Sequence, residues 1–313
     1  MTTDIVIVNW NTSRQLQACV ESVRAFADGL VGTCIVVDNG STDGSADFLQ
    51  DASDVVLVRA GSNLGFAKAC NLGAPKGTSD FILFLNPDAR LFAQSLPGAC
   101  AYLDNPLHDD IGIVGVQLVG ADGEVQRTCA RFPTAVRLAA KSFGLTAMFK
   151  MLDFQMKEWP HNETRRVDQV IGAFFLVRRS LFLDLSGLDE RFFVYFEEVD
   201  FSYRASKLGY QSAYLAEVQA FHKGGGVSEQ VKAHRLFYSL RSRIQYAFKH
   251  FMLPAALTVA IATLMVEPMT RLIFLCLGMR WSEIPDLLRG YQMLWGWVWG
   301  KPLGKKGLSN RAW

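Results

Sequence analysis

Apolar runs of strand length alternate with helical patterns along the first part of the chain. The runs occupy residues 4–8, 34–38, 55–59 and 81–85. A helical pattern with its apolar residues on one face follows Thr12, a short helix is predicted after Gly44, and another is predicted from Gly65. Strands that alternate with helices are typical of a mainly parallel sheet covered on both faces. We therefore predict a Rossmann-like α/β fold.

The apolar run at 81–85 ends abruptly in Asn86, Pro87 and Asp88. Proline has no N–H for a sheet ladder, so strand pairing should stop at Pro87. Asp88 would then be held at the carboxyl end of its strand, the edge where open α/β sheets bind ligands. Asn-Pro-Asp is also ordinary turn chemistry, and this motif alone leaves both interpretations open.

Polar residues recur at the carboxyl ends of the predicted strands. They are Asn9 and Asn11, Asp38, Asn63 and Asp88. Because parallel strands end at the same edge, this recurrence favours a ligand site over independent loops. Small residues follow Asp38 and leave room for a ring, so Asp38 can accept from a base or a ribose hydroxyl, although helix capping explains the same residues. Asp88 could hold Mg²⁺ on a diphosphate, since this ion often binds one or two carboxylates plus phosphates.

Two common nucleotide-binding motifs are missing from the sequence. The chain has no G-x-x-x-x-G-K-[ST] motif, and no G-x-G-x-x-G follows its first strand. A P-loop enzyme and a plain dinucleotide dehydrogenase are therefore disfavoured. A nucleotidyltransferase would use a similar sheet and metal, but the glycine- and lysine-rich loop of that class does not follow the first strand.

Charge and tryptophan content change near residues 225–230. Residues 223–313 contain 13 Lys or Arg and 4 Asp or Glu, whereas residues 1–222 contain 19 and 26. Five of the seven tryptophans lie in the last 33 residues. We place a domain boundary between residues 228 and 229, with the glycine run after Lys223 as a hinge. An acidic body with a basic tail indicates that the tail meets an anionic surface or ligand.

Eight motifs, in order along the chain, carry a family resemblance. They are VNWN at 8–11, VVDNGSTDGS at 36–45, SNLGFAKACNLG at 62–73, LNPDARL at 85–91, GAFFLVRR at 172–179, GLDERFFVYFEEVDFSYR at 187–204, FHKGG at 221–225 and HRLFYSLRSRIQYAFKH at 234–250. This set resembles family 2 glycosyltransferases with the GT-A fold, and within them the bacterial rhamnosyltransferases of cell-envelope and O-antigen assembly. It implies a GT-A catalytic domain at 1–228, with a nucleotide-binding half at 1–119 and an acceptor-binding half at 120–228.

The resemblance also assigns residues to the nucleotide sugar and to the acceptor. Asp88 matches the last aspartate of the family's D-x-D motif, and Asn86 stands in place of the first. The residues expected at the nucleotide sugar are Val8, Asn9, Asp38, Asn63, Gly65, Asn86 and Asp88. Those expected at the acceptor are Gly172, Ala173 and Glu197. Cys70 stands where many relatives have an arginine toward the nucleotide, which leaves Lys68 or another cation for that task.

The stretch FEEVDFSYR contains the catalytic base that the resemblance implies, Glu198. Because an α-helix has about 3.6 residues per turn, Glu197 and Glu198 cannot both face the same spot. The aromatic residues just before them predict burial of Glu198, which would raise its pKa and suit a base. Asp200 and Arg204 are expected to pair on the helix surface. A solvated or capping face is the alternative for Glu197 and the preferred interpretation of Asp200.

His222 follows another apolar stretch and stands before glycines able to close over a donor. Its separation from Glu198 resembles that of a metal-binding histidine in related galactofuranosyltransferases. We therefore expect Asp88 and His222 to hold Mg²⁺ or Mn²⁺, with a structural histidine as the alternative. Arg241 and Arg243 are expected to bind a diphosphate of the donor or the acceptor.

The C-terminal region predicts contact with a membrane surface. Apolar residues recur at helical spacing among basic ones; they are Phe237, Leu240, Ile244, Phe248 and Phe251. The uncharged run 251–266 is interrupted at Glu267 and Pro268, so we expect no comfortable membrane span. The late tryptophans and the lysines after them suit headgroups of anionic lipid. A hydrophobic hairpin packed on the catalytic domain, or a dimer interface, is the alternative.

The resemblance implies an inverting glycosyltransferase that moves a sugar, L-rhamnose from dTDP-L-rhamnose, to a polyprenyl-diphosphate-linked saccharide. A donor such as UDP-linked galactofuranose, glucose or galactose is the alternative, as is a non-catalytic membrane-associated nucleotide-binding module. The N-terminus enters a strand-like run without a basic segment, and the six cysteines form no C-x-x-C pair. We therefore expect no signal peptide and a peripheral or monotopic enzyme at the cytoplasmic face of the inner membrane. We expect no nucleic-acid partner and leave a homo-oligomer open.

Overall fold

The computed structural model describes residues 1–27, 29–224 and 231–300. The chain forms two compact units. The first comprises Met1–Phe132, Trp159–Phe193 and Glu197–Gly226, and the second comprises Pro133–Glu158, Val194–Phe196 and Val227–Trp313. Residues 133–158, which we expected in the acceptor-binding half, thus group with the C-terminal helices, since Leu138 packs in their core. The boundary at 228/229, the second and third glycines of the hinge and the last lysines lie outside the described residues.

The first unit is built on one sheet that, within the described residues, has nine strands in the order β3-β2-β1-β4-β8-β6-β9-β5, with β7 beside β9. They are β1 Thr3–Asn9, β2 Val31–Asp38, β3 Val55–Arg59, β4 Phe81–Leu85, β5 Ala89–Leu91, β6 Ile111–Val119, β7 Arg165–Val167, β8 Phe174–Arg178 and β9 Gln211–His222. The four strands expected from the apolar runs are confirmed as β1 to β4, and these pair in parallel. Beyond β4 the sheet is mixed, because β8 runs antiparallel to both β4 and β6.

Helices cover this sheet and form the second unit. They are α1 Arg14–Phe26, α2 Phe66–Gly73, α3 Ser95–Asp104, α4 Ala135–Ser142, α5 Arg179–Asp184, α6 Glu197–Lys207, α7 Lys232–His250, α8 Leu253–Ile261, α9 Glu267–Leu277 and α10 Ile284–Val298. The helices expected after Thr12 and from Gly65 are confirmed as α1 and α2. The segment after Gly44 forms only a 3-10 turn at Asp47–Leu49.

The core of the first unit lies on both sides of the parallel strands. Alternate side chains of β1, such as Ile5 and Ile7, are fully buried, and α1 covers them with its apolar face, which includes Leu16 and Val20. A continuous run of buried residues is what a strand covered on both faces requires. This packing fixes the carboxyl ends of β1, β2 and β4 at one edge.

In the second unit, α8 and α9 join through a π-helical segment, Ala262–Val266, into one helix of 25 residues, Leu253–Leu277. The interruption expected at Glu267 and Pro268 is therefore wrong: Pro268 lies in the first turn of α9, and the π segment absorbs the change in hydrogen bonding. By length and composition this helix is long and apolar enough to cross a membrane, with a mean hydropathy of 1.7. Core helices of soluble proteins pass the same test.

Candidate functional site

The site begins where β1 and β2 end side by side. Asn9 pairs with Asp38 in the sheet register, and its Nδ2 lies 3.3 Å from Asp38 Oδ1. The same amide nitrogen lies 3.0 Å from Ser41 Oγ and 2.9 Å from Ser45 Oγ. Arg59, at the end of β3, places Nη1 3.3 Å from Asp38 Oδ2. Asp38 is therefore a buried carboxylate held at the sheet edge, as the strand pattern predicted.

The loop before α2 lies against the loop after β2. Asn39 donates to Asn63 Oδ1 at 3.0 Å and accepts from the Leu64 N–H at 2.8 Å. A Cβ on Gly40, whose φ is 80°, would fall 2.7 Å from the Ser62 carbonyl carbon. Only glycine allows this approach. Asn63 thus shapes the loop that we expected to border the nucleotide.

Gly65 makes the next close approach, to the segment that precedes α6. Its φ is 86°, and a Cβ there would fall 2.4 Å from the Phe193 carbonyl oxygen. That oxygen accepts from the Phe66 N–H at 2.6 Å. Asn71 adds a second tie, because its side chain accepts from the Leu188 N–H at 2.9 Å and donates to the Leu188 carbonyl at 2.8 Å. Sequence reasoning missed Asn71, for which a polar residue inside a short helix was the available signal.

Asp88 and His222 meet at the end of β4. Strand β4 stops at Leu85 before Pro87, as predicted, and β5 then pairs Ala89 with His222. This register brings His222 Nε2 to 3.5 Å from Asp88 Oδ1, with both side chains largely buried. The sheet therefore joins two residues that are far apart in the sequence and that we expected to share a metal.

Gln126 orients the imidazole of His222 and was not anticipated. Its Nε2 donates to the His222 carbonyl at 2.7 Å, which leaves Oε1 to accept from His222 Nδ1 at 2.8 Å. With the proton on Nδ1, the lone pair of Nε2 faces Asp88. Metal-binding histidines are usually held in this way by a second hydrogen bond.

The donor set fits a divalent cation that also binds phosphate. Among the described residues, no group of three or more His, Cys, Asp or Glu could hold a metal. Asp88 and His222 would supply two ligands, and Mg²⁺ commonly takes its remaining ligands from phosphates and water. A cavity of about 230 Å³ adjoins Asp88. Its lining includes the basic residues Arg14, Arg90 and Lys223, which sequence reasoning did not select.

Asn86 connects this edge with the expected acceptor residues. Its N–H donates to the Ala173 carbonyl at 3.0 Å, next to the pairing of β4 with β8. Ala173 is buried, whereas a Cβ on Gly172 would meet open space. Gly172 therefore leaves room beside Asn86, and Val8 lies buried at the end of β1 nearby in the sheet.

Glu197 and Glu198 form the first turn of α6. Glu197 is buried, Glu198 is partly exposed, and the Oε2 atom of each is buried without a hydrogen-bond partner. Burial raises the pKa of Glu198, and it raises the pKa of Glu197 further because Glu198 stands beside it. The raised pKa expected for the base is thus present. Glu197 is not on a solvated face.

Asp200 and Arg204 pair, but not on the surface. Arg204 Nε lies 2.7 Å from Asp200 Oδ2, and Asp200 is fully buried. Arg204 also donates to the Leu185 and Gly187 carbonyls at 2.7 and 2.8 Å. The solvated interpretation of Asp200 is wrong, because this pair ties α6 to the turn after α5. Cys70 is also buried, and burial together with Glu197 raises the pKa of its thiol.

Arg241 and Arg243 lie on α7 in the second unit and differ in their surroundings. Arg243 is buried, and its Nη1 pairs with Glu267. This ion pair occupies the guanidinium that we expected to bind phosphate, so only Arg241 keeps that proposed role. Arg241 stacks over Trp297 at 5.5 Å, and its Nε is buried without a hydrogen-bond partner.

Comparison with solved structures defines the class of fold. The chain is similar to a mannosyltransferase from Pyrobaculum calidifontis, solved with GDP-mannose and Mn²⁺, with a TM-score of 0.54, 15% identity, and coverage of 97% of this chain and 81% of that one. It is also similar to residues 1–349 of TarS from S. aureus, with a TM-score of 0.50, 13% identity, and coverage of 96% and 92%. The fold is that of the GT-A glycosyltransferases.

Residues 4–185 match the domain described as Glycosyl transferase family 2, and the chain belongs to this family. It is 28% identical over 244 residues to the N-acetylglucosaminyl-diphospho-decaprenol L-rhamnosyltransferase of Mycobacterium tuberculosis, covering 70% of this chain and 75% of that one. It is 23% identical over 224 residues to the low-salt glycan biosynthesis hexosyltransferase Agl10 of Haloferax volcanii, covering 70% and 66%.

Proposed function

We propose that this glycosyltransferase moves L-rhamnose from dTDP-L-rhamnose to a polyprenyl-diphosphate-linked saccharide, with inversion at the anomeric carbon, in synthesis of a cell wall or surface polysaccharide. The observation that carries the reaction type is the meeting of Asp88 and His222 beside a cavity lined by Arg14, Arg90 and Lys223. Such a group suits a diphosphate and its cation. The donor sugar and the lipid carrier follow the mycobacterial relative.

In the proposed reaction, Glu198 takes the proton of the acceptor hydroxyl. The hydroxyl oxygen forms a bond to the anomeric carbon as the bond from that carbon to the diphosphate oxygen breaks, and the electron pair leaves with the nucleoside diphosphate. A single displacement of this kind inverts the anomeric carbon. The raised pKa of Glu198 favours proton uptake.

The negative charge on the leaving diphosphate needs a second group of residues. Asp88 and His222 would hold Mg²⁺ or Mn²⁺, whose charge stabilises the departing phosphate oxygens. Asn9 and Asp38, with the loop of Asn63 and Gly65, would hold the nucleoside at the ends of β1 and β2.

The proposed location is the cytoplasmic face of the inner membrane, where a polyprenyl-linked acceptor is held. The helix Leu253–Leu277 supports this proposal through its apolar composition and the exposure of most of its length. We favour a monotopic arrangement, because Glu267 in the middle of this helix is paired with Arg243 and Arg271 within the second unit.

Purified protein tested with dTDP-L-rhamnose and with UDP-linked galactofuranose, glucose and galactose would decide the donor. We expect release of dTDP from dTDP-rhamnose, accelerated by a polyprenyl-diphosphate-linked N-acetylglucosamine acceptor, and an inverted anomer in the product by NMR. If the protein turns over a UDP sugar and not dTDP-L-rhamnose, that UDP sugar replaces dTDP-L-rhamnose as the proposed donor. Tight nucleotide binding without release from any donor would instead favour the non-catalytic binding module.

A further inference from the structure

A loop in the second unit exposes several large apolar side chains close together. In the sequence this loop lies far from the C-terminal tail. We name residues 143–151 the apolar loop. Met148 is 77% exposed and Met151 is 68% exposed. Phe143, Leu145 and Phe149 are also exposed. Exposed apolar residues are ordinary when they are scattered, but a contiguous group of this kind marks an interaction surface.

Side-chain contacts hold the base of the apolar loop in place. Lys141 Nζ lies 3.6 Å from Asp153 Oδ1 and 4.5 Å from the centre of the Phe154 ring. Ser142 Oγ donates to Glu267 Oε2 at 2.9 Å in the interior of the unit. The loop therefore presents its side chains from a fixed base, which lowers the entropic cost of contact.

Backbone groups of the apolar loop form hydrogen bonds with one another. Two 3-10 turns, Leu145–Ala147 and Lys150–Leu152, occupy most of it. The N–H groups of Met148 and Phe149 both donate to the Leu145 carbonyl, at 3.2 and 2.9 Å. A segment that enters an apolar medium needs such internal bonds, because no water replaces them there.

The apolar loop and α9 belong to one exposed surface. A Cβ on Gly144 would fall 2.7 Å from the Phe274 ring, so the loop rests directly on α9. Phe274 itself is half exposed, as are Ile273 and, more fully, Leu277 beyond it. The loop thus widens the apolar face of the helix Leu253–Leu277.

The charge around the loop fits an anionic surface. The apolar loop, residues 143–151, contains Lys150 and no Asp or Glu, whereas the charge of Lys141 at its base is balanced by Asp153. Lys150 is exposed and lies between Phe149 and Met151. A lysine among apolar residues suits a bilayer, where its stem stays with the acyl chains and its ammonium reaches the headgroups. Lysine is depleted at protein interfaces, so a second copy fits this sequence less well.

We propose that the apolar loop enters the interfacial region of an anionic lipid bilayer beside the exposed face of Leu253–Leu277, as a second membrane contact. This inference rests on the proposed lipid-linked acceptor. It adds a segment of the chain that the basic C-terminal composition does not reveal, and it means that two parts of the second unit would hold the enzyme on the membrane.

Full-length protein carrying Met148→Asp and Phe149→Asp should bind vesicles of phosphatidylglycerol and phosphatidylcholine roughly tenfold or more weakly in co-sedimentation. Two apolar side chains that would enter the bilayer are then replaced by charged ones. The matched control is Leu107→Asp with Leu183→Asp, two exposed apolar residues of the first unit, which should bind as wild type. Release of nucleoside diphosphate from the donor without acceptor should be unchanged in both. If wild-type protein releases no nucleoside diphosphate from the donor, that result counts against the proposed function and not against the membrane contact of the loop.

A second measurement keeps the proposal falsifiable if the double variant misfolds. Met148→Cys in a Cys276→Ser background, labelled with an environment-sensitive fluorophore, should shift to the blue with anionic vesicles and be quenched by nitroxide-labelled lipid. Equal vesicle binding by the double variant, or an unshifted label, overturns the proposal. A concentration-dependent dimer that the double variant abolishes would assign the loop to a second copy of the chain and also overturn it.

Discussion

Glu197 and Glu198 are neighbours in the sequence, yet their surroundings separate their roles. Glu197 is buried at the start of α6, whereas part of Glu198 reaches the surface. The aromatic run before them correctly predicted a raised pKa for Glu198, because its carboxyl atom Oε2 is buried even though part of the residue reaches the surface. The sequence could not predict Gln126, since its contact with His222 arises only when the chain returns through β9. Spacing alone likewise could not show that Arg243 faces Glu267.

Replacement of Glu198 tests the proposed base. Glu198→Gln should retain nucleotide-sugar binding and lose transfer by roughly 10²–10⁴-fold, the usual contribution of a general base. The matched variant Glu197→Gln should lose less, because a neutral amide resembles the protonated acid that burial favours at Glu197. The measurement is product formed per enzyme. If Glu198→Gln keeps near-normal turnover, Glu198 is not the base and Glu197 becomes the candidate.

The pH dependence of wild type follows from the same carboxyl group. A base must be deprotonated, so kcat/KM should fall as the pH drops through the raised pKa of Glu198. The decline should therefore begin at a higher pH than for an exposed glutamate, whose pKa is ordinarily 4.5. A pH profile of kcat/KM at saturating Mn²⁺ gives the measurement, and a flat acidic limb would contradict the assignment.

Gln126 should increase the affinity of the site for metal by orienting His222, without contacting the metal itself. Gln126→Ala frees the His222 ring, and loss of such an orienting hydrogen bond typically weakens metal affinity roughly 10–100-fold. His222→Ala and Asp88→Ala should weaken it more. Titration of Mn²⁺ by electron paramagnetic resonance in the presence of nucleoside diphosphate provides the readout. Full wild-type activity in excess EDTA would show that protein cations such as Arg14 or Arg90 perform this task alone.

At the level of elements, apolar runs predicted strands better than charged residues predicted helix ends. The strands β1 to β4 were foreseen because a strand covered on both faces leaves a continuous apolar run in the sequence. Glu267 and Pro268 misled the prediction of a break. Within the second unit the charge of Glu267 is neutralised by Arg243 and Arg271, and Pro268 occupies a turn that tolerates it. Tertiary pairing thus outweighed local propensity.

Removal of one member of this ion pair should destabilise the second unit. Arg243→Met leaves the buried Glu267 carboxylate with Arg271 as its cationic partner, at 2.8 Å. The loss should therefore stay below the roughly 3–5 kcal/mol that removal of the sole partner of a buried charge typically costs. The double variant Arg243→Met with Glu267→Met should recover part of this loss, because the buried carboxylate is then removed together with its buried partner. Urea unfolding in detergent measures both. Equal stability of wild type and Arg243→Met would contradict the role of the pair.

The same pair predicts stability against acid. Burial would raise the pKa of Glu267, but Arg243 and Arg271 outweigh it and lower the pKa from 4.5 to about 2. A lowered folded-state pKa means that the contribution is complete above pH 4.5 and is lost as the pH falls toward about 2. Glu267→Gln should remove this part of the acid dependence of the unfolding midpoint.

At the level of the whole molecule, composition showed a change near residues 225–230 but not the inclusion of 133–158 in the second unit. Local composition could not assign that segment, because its partners lie far along the chain: Ser142 contacts Glu267, 125 residues later. The second unit is still basic when residues 133–158 are included in it. The described residues of the second unit contain twelve Lys or Arg and five Asp or Glu.

Membrane contact by the long helix can be tested on its exposed side, because its opposite side is needed for folding. Ala256 and Val259 pack on Leu138, so deletion of residues 252–313 would also uncover this core. Ile261, Met265 and Met269, spaced four residues apart, are instead exposed and available for substitution.

The variant Ile261→Glu with Met265→Glu and Met269→Glu should therefore remain folded and move from the membrane fraction to the soluble fraction. Transfer to a polyprenyl-linked acceptor should fall more than donor hydrolysis, because only the acceptor is held in the bilayer. Far-ultraviolet circular dichroism would confirm that the helix is kept. If wild-type protein is soluble without detergent and does not bind anionic vesicles, membrane attachment is contradicted, and the exposed side of Leu253–Leu277 must be covered by another protein surface.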